Sequence, residues 1–308
     1  MTTRNRCGSL YKIFCILLTS LICVPFSFAG TIDVFSRAVV FLSQTTPVTE
    51  DINGTRMEIW WKLPNTNMFL PKQAKISGSG FIVVSSNVCY LITAKHVAIS
   101  MTEDCEIILS GDKNVPLHIK LASITGQPGV RWFHHKEADI SIHPLPTITS
   151  EGINALAGRA IPIEFLDSQT NLPSRDIVLT AIGFPLGLGA EGEFLPLSRD
   201  SKLSSGFLSD GGGKFFLLQD PSVSGYSGGP LIQSGDPRVI ATSPKAEDIK
   251  VVSGGARCWG FVSGTYADET GGKMCKIIPA LYAVDLINQA ERELNIVQTS
   301  STSLEKPK

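Results

Sequence analysis

Gly225-Tyr226-Ser227-Gly228-Gly229-Pro230 sets a hydroxyl on a tight turn with bare backbone on both sides. Glycines there let successive N–H groups point into one small volume and let a carbonyl group approach the main chain. A serine held this way becomes a nucleophile only when an imidazole takes its proton and a carboxylate orients that imidazole. The order of those partners along the chain therefore decides the fold.

Gly225 to Gly229 fits G-x-S-x-G, the strained elbow of α/β-hydrolases, in which the histidine follows the serine. The five histidines here are His96, His118, His134, His135 and His143, and all precede Ser227. The elbow reading fails for want of a base. The order histidine, acid, serine stays open, and it is the chymotrypsin order. Among the histidines, His96 ends an apolar run, Leu91-Ile92-Thr93-Ala94-Lys95-His96-Val97. Gly78 to Val84 form a second apolar run upstream, separated from the first by Ser85-Ser86-Asn87, which predicts a β-hairpin. The acid expected between His96 and Ser227 is Asp139, in Glu137-Ala138-Asp139-Ile140-Ser141-Ile142, because an alternating apolar strand follows it. Asp104 and Asp112 have no such strand. His135, Asp139 and His143 would align as metal ligands only on a helix, whereas Ile140, Ile142, Pro144 and Pro146 predict strand and loop. With no HExxH and no CxxC pair, no metal and no cofactor is expected.

Taken together these segments resemble the chymotrypsin/trypsin-like serine peptidases, closest in motif to bacterial HtrA/Deg-like peptidase domains without a PDZ domain. Gly225 to Pro230 is similar to their GxSGGP, Thr93 to Val97 to TAxHC/V, and Gly78 to Val84 to GSGFIV. Ala181 to Gly187 is similar to AIGxPxG, and Ser204 to Ser209 to the SGxVS strand that follows it. The resemblance implies an all-β fold of two packed six-stranded antiparallel β-barrels with a C-terminal α-helix, the site lying in the crevice between them. It implies a polypeptide substrate, with His96 as base, Asp139 as orienting acid and Ser227 as nucleophile. The N–H groups of Gly225 and Ser227 would form the oxyanion hole, and Pro221, Gly260, Val262 and Ser263 would contribute to the substrate pocket. Three departures bear on specificity. Tyr226 replaces the aspartate that pairs with a newly cut N-terminus. Pro221 replaces the aspartate that selects basic side chains. No histidine follows Ser227 to select glutamate. A small or apolar side chain before the scissile bond is expected. An inactive member of the fold serving as a binding module, and an esterase with the same three residues, are the alternative functions.

The N-terminus reads as a signal peptide over residues 1–29. Arg4, Arg6 and Lys12 precede the apolar Ile13 to Val24, and Ser27-Phe28-Ala29 precedes Gly30. The apolar run is shorter than the roughly 20 residues that span a bilayer. Export to the periplasm or beyond is expected, with no membrane segment after leader removal. The whole chain carries 27 basic and 28 acidic residues, and losing the basic leader makes it mildly acidic, so no nucleic-acid partner is expected. Cys89, Cys105, Cys258 and Cys275 remain, an even number compatible with two disulfides and three pairings, or with free buried thiols. The resemblance favours Cys89–Cys105 and Cys258–Cys275, one bridge within each barrel. Residues 30–148 are expected to form the first barrel with a lead-in segment, where Trp60 and Trp61 would pack on it. Residues 149–295 would form the second barrel and a closing helix, predicted from the spacing of Leu281, Val284, Leu286, Ile287 and Leu294. The Ser/Thr/Lys-rich residues 296–308 are expected to be disordered.

Overall fold

The computed structural model describes residues 30–53, 55–125, 131–146, 149–241 and 249–303; the leader assigned to 1–29 lies outside them. The first half runs α1 (Thr31–Arg37), β1 (Val39–Pro47), β2 (Thr49–Ile52), β3 (Thr55–Glu58), β4 (Trp60–Lys62), β5 (Phe69–Pro71), β6 (Gln73–Ser85) and β7 (Val88–Thr93). It continues through α2 (Lys95–Ala98), β8 (Glu106–Ser110), β9 (Pro116–Lys120), α3 (Leu121–Thr125), β10 (Phe133–His134) and β11 (Ser141–Leu145). The second half holds α4 (Ser150–Leu156), β12 (Ile161–Pro162), β13 (Leu179–Gly183), β14 (Leu197–Ser201), β15 (Leu208–Ser209), β16 (Lys214–Leu218) and β17 (Pro230–Gln233). β18 (Asp236–Ala241), β19 (Ile249–Gly254), β20 (Arg257–Ala267), β21 (Lys273–Pro279) and α5 (Leu281–Ser303) complete it.

Two large, mainly antiparallel sheets result, with β2–β3, β4–β5 and β18–β19 as separate two-stranded hairpins. One has the order β10-β11-β7-β6-β1-β8-β9, with β12 added parallel to β6; the other has the order β14-β13-β17-β20-β21-β16-β15. The chain is thus mostly β with a C-terminal helix, and neither strand order closes on itself among the described residues. The predicted hairpin is β6–β7. Ser86 and Asn87 take left-handed φ of 47° and 67°, the two-residue turn whose twist matches the flanking strands. Aromatic side chains join the two sheets into one core, with Phe81 and Phe261 centroids 6.2 Å apart and Phe41 and Phe184 5.6 Å apart. That shared core gives loops from both halves a rigid common support.

Several expectations change. Residues after 148 do not leave the first sheet at once: Ala155 and Leu156 of α4 are buried in its core, and β12 pairs with β6. The helix α5 runs on to Ser303, past the end at 295 read from apolar spacing; residues 304–308 of the expected tail lie outside the described residues. Trp60 and Trp61 do not pack on the sheet. They sit on the β4–β5 hairpin, a two-stranded sheet of its own, and remain 53% and 61% exposed. The expected disulfides are also absent. Cys89, Cys105, Cys258 and Cys275 are free and buried. Cys89 and Cys105 share one core without bonding, whereas Cys258 and Cys275 face different cores. The sulfurs of Cys105 and Cys258 turn instead toward the carbonyls of Glu106 and Gly260, each at 3.5 Å.

Candidate active site

Strand pairing delivers two of the candidate residues to one point. β7 is buried along nearly its whole length and ends at Thr93; the extended Ala94 then starts α2, whose first turn carries His96. β11 pairs with β7 so that Ser141 lies opposite Thr93. Asp139, two residues before Ser141 in the turn from β10, therefore arrives beside α2. Its carboxylate accepts the His96 N–H at Oδ1 (2.9 Å) and the His96 ring at Oδ2 (2.8 Å). The Ser263 hydroxyl, from β20 in the other sheet, donates to the same Oδ2 at 2.6 Å. Burial raises the Asp139 pKa, but the ring of His96, the Ser263 hydroxyl and the His96 N–H outweigh it and hold the carboxyl below its ordinary range. An ionised carboxylate only accepts, so the neutral imidazole keeps its proton on Nδ1 and leaves Nε2 as a base.

The turn carrying Ser227 is shaped by backbone contacts that only glycine allows. Gly225 has φ +100° and Gly228 φ +87°. A Cβ on Gly228 would collide with the Ser79 carbonyl and the Thr93 hydroxyl, and would lie 2.9 Å from the Ala94 nitrogen. A Cβ on Gly78 would lie 3.2 Å from the Ser227 carbonyl and within 3 Å of the Val97 methyls, at 2.8 and 2.9 Å. The turn thus lies directly against the segment that bears His96. Ser224 C=O accepts from Leu186 N–H (2.6 Å) and Tyr226 C=O from Gly229 N–H (2.8 Å). In a trans peptide the N–H points opposite to its C=O, so the N–H groups of Gly225 and Ser227 face away from those partners. Neither donates to another protein group among the described residues. The Ser227 hydroxyl donates to the Ser263 carbonyl at 3.1 Å, so Ser263 touches both Asp139 and Ser227.

Ser79 carries the join between the halves. It is fully buried; its hydroxyl donates to Gly225 C=O at 2.7 Å and accepts Phe184 N–H at 3.0 Å, while its own N–H donates to Ser227 C=O at 2.8 Å. Thr93 in turn donates to Ser79 C=O at 2.7 Å. Sequence reasoning missed Ser79 in this role. Its only local signal is a small polar residue between Gly78 and Gly80 inside an apolar strand.

Of the expected pocket residues, Pro221 and Val262 line a cavity of about 20 Å³ with Ser222, Tyr226, Arg199 and Cys275. Thr265 donates to Ser222 C=O at 2.9 Å and ties two walls of this region together. Gly260 lies within the sheet against Ile278, and Ser263 is engaged with Asp139. Tyr226 is buried in the core of the second sheet, where it forms part of the wall of that cavity. No cluster of metal-ligating side chains occurs among the described residues, nor any helix long and apolar enough to cross a membrane. No protein-family model matches the chain, and no curated protein matches it at a significant level.

Proposed function

We propose that this chain is an exported serine endopeptidase of trypsin-like architecture, its two sheets serving as the two barrels of that fold. The observation that carries the reading is the contact chain from His96 to Asp139 to Ser263 to Ser227, assembled from four separate segments of sequence. Asp139 fixes the imidazole tautomer and stabilises the imidazolium that forms. On substrate binding the Ser227 hydroxyl rotates from the Ser263 carbonyl toward His96 Nε2. The imidazole takes its proton as Oγ attacks the peptide carbonyl carbon. The oxyanion forms against the N–H groups of Gly225 and Ser227, which donate to no other protein group among the described residues. His96 then gives its proton to the departing amine, and water repeats the sequence to free the acid. The polypeptide lies in the crevice between the sheets, with neither metal nor nucleic acid taking part.

One observation favours a second reading. The Ser227 hydroxyl rests on Ser263 rather than on the imidazole, as it would in an inactive fold used only to bind peptides. A fluorophosphonate probe separates the two. The active enzyme is labelled, and Ser227→Ala abolishes labelling; a wild-type protein that neither labels nor cleaves a denatured protein substrate replaces the peptidase with the binding module. Cleavage of small esters without cleavage of protein would identify an esterase instead.

A further inference from the structure

His135 is not used in the chemistry above, yet it sits where the turn bearing Asp139 is folded. Its ring Nδ1 accepts two backbone N–H groups of that turn, from Glu137 (3.2 Å) and Ala138 (3.0 Å). Its own N–H donates to Ile140 C=O at 3.0 Å, closing the turn around Asp139. Its carbonyl accepts Lys95 Nζ at 2.8 Å, one residue before the base. The ring lies against Tyr282 of α5, with centroids 4.6 Å apart, and the Tyr282 hydroxyl accepts Lys214 N–H at 2.7 Å. Glu137 C=O accepts Gly213 N–H from the second sheet at 2.8 Å. His135 is therefore the point at which the acid's turn, the base's helix and α5 meet.

An imidazole nitrogen that accepts two N–H groups carries no proton, so this geometry exists only for the neutral ring protonated on Nε2. We infer that neutral His135 is a positioning residue for Asp139, and that acid disables the site by protonating His135, which turns Nδ1 from acceptor into donor and opens the turn. The inference rests on the peptidase reading only for its kinetic consequence. The charged groups facing the ring are Asp285 from α5, Glu137 from its own turn and Lys95 from α2. Burial, the largest influence, holds the pKa below the ordinary histidine value; Asp285 and Glu137 raise it, and Lys95 lowers it further. A depressed value means the turn is fully stabilised above the ordinary histidine pKa of about 6.5 and is lost as pH falls through the lower, folded-state value. His134 does not share this property. Its Nδ1 faces the Ser141 hydroxyl (2.7 Å), which reverses its direction when the ring charges.

The test compares His135→Asn, whose side-chain oxygen accepts N–H groups and does not titrate, with His135→Leu, which keeps bulk against Tyr282 but accepts nothing. In the wild type the acid limb of log kcat/KM against pH should steepen toward a slope of two, one unit of it from the proton taken up by His135. The Leu variant should lose about tenfold in kcat per phosphonate-titrated site at pH 8, with little change in KM. The Asn variant should recover most of that loss and show an acid limb of slope one. A purely structural role would lower the melting temperature and the titratable fraction without changing slope or kcat per site. An arm independent of turnover follows the downfield NMR signal of the His96 Nδ1 proton on Asp139. It should vanish on acidification in the wild type and persist to lower pH in the Asn variant. Equal slopes in wild type and Asn variant, a signal that survives acid equally in both, or its absence from the wild type at pH 8 would each overturn the inference. A wild type that is never labelled removes the peptidase reading but leaves the NMR arm decisive.

Discussion

Replacing Ser79 by alanine should damage stability and catalysis together, because one hydroxyl serves both. Ser79 is fully buried, and its Oγ satisfies two groups that are themselves buried, Gly225 C=O and Phe184 N–H. Ser79→Ala removes both partners at once and leaves a gap too small to fill with side chain. A buried polar group left unsatisfied costs about 1–3 kcal/mol, so the pair predicts a loss of about 2–6 kcal/mol. That is a large part of the 5–15 kcal/mol typical of a folded protein. With a urea m-value of about 2–3 kcal/mol/M, the unfolding midpoint should fall by about 0.7–3 M. Catalysis should suffer for a separate reason. The Gly225 carbonyl that Ser79 holds belongs to the residue whose N–H would face the oxyanion in the proposed peptidase, and losing such a donor outright costs about 10²–10³ in turnover. Loosening it should cost a substantial fraction of that, read as a slower fluorophosphonate reaction at a temperature where the variant is still folded. Ser209→Ala, which removes an exposed hydroxyl hydrogen bond, serves as the control and should stay within about 0.5 kcal/mol. An unchanged urea midpoint, or full reactivity alongside a lowered one, would refute the claim that Ser79 couples the two halves through the nucleophile turn.

Gly228→Ala should cost more than about 3 kcal/mol, since positive φ and backbone collision act together; recovery of soluble variant with wild-type melting would contradict this. The four buried thiols, with pKa values raised to about 12 by burial, should resist alkylation in the native protein. All four should react after denaturation without reductant, and mass spectrometry of the adducts would expose any disulfide. Thr265→Gly removes the hydroxyl that ties the pocket walls and should shift peptide-library cleavage toward larger side chains before the scissile bond; an unchanged profile would place the specificity elsewhere. Asp139 contributes stability above its ordinary pKa of about 4 that is lost as pH falls through its depressed value. Asp139→Asn should therefore flatten the acid side of the melting temperature against pH, and an unchanged curve would count against the charged network.

What the sequence reveals and what it hides follow from the range of the forces involved. The β6–β7 hairpin is readable because apolar runs and a polar turn are local, and His96 and Asp139 are readable because each is attached to a strand end with its own pattern. Their meeting is a matter of register: once Ser141 pairs with Thr93, a two-residue overhang brings the acid to the base. The Ser79 hydroxyl bonds a carbonyl 146 residues away, and no periodicity encodes such a contact. Burial of an unmatched polar group is what enforces it, and burial becomes visible only when both sheets are in place. Trp60 and Trp61 err in the opposite direction. Aromatic residues on a short strand read as core, yet burial needs a covering layer, and on this separate hairpin both rings stay more than half exposed. The cysteines fail for a third reason. An even count constrains pairing only if the sulfurs approach, and here each thiol fills a core position on its own. The join at Ser79 also explains why the candidate site cannot be assigned to either half. The turn that bears Ser227 takes its shape from glycines in its own segment and is bonded to β6 through Ser79, so a substitution that loosens the shared core between Phe81 and Phe261 should reach this turn through Ser79.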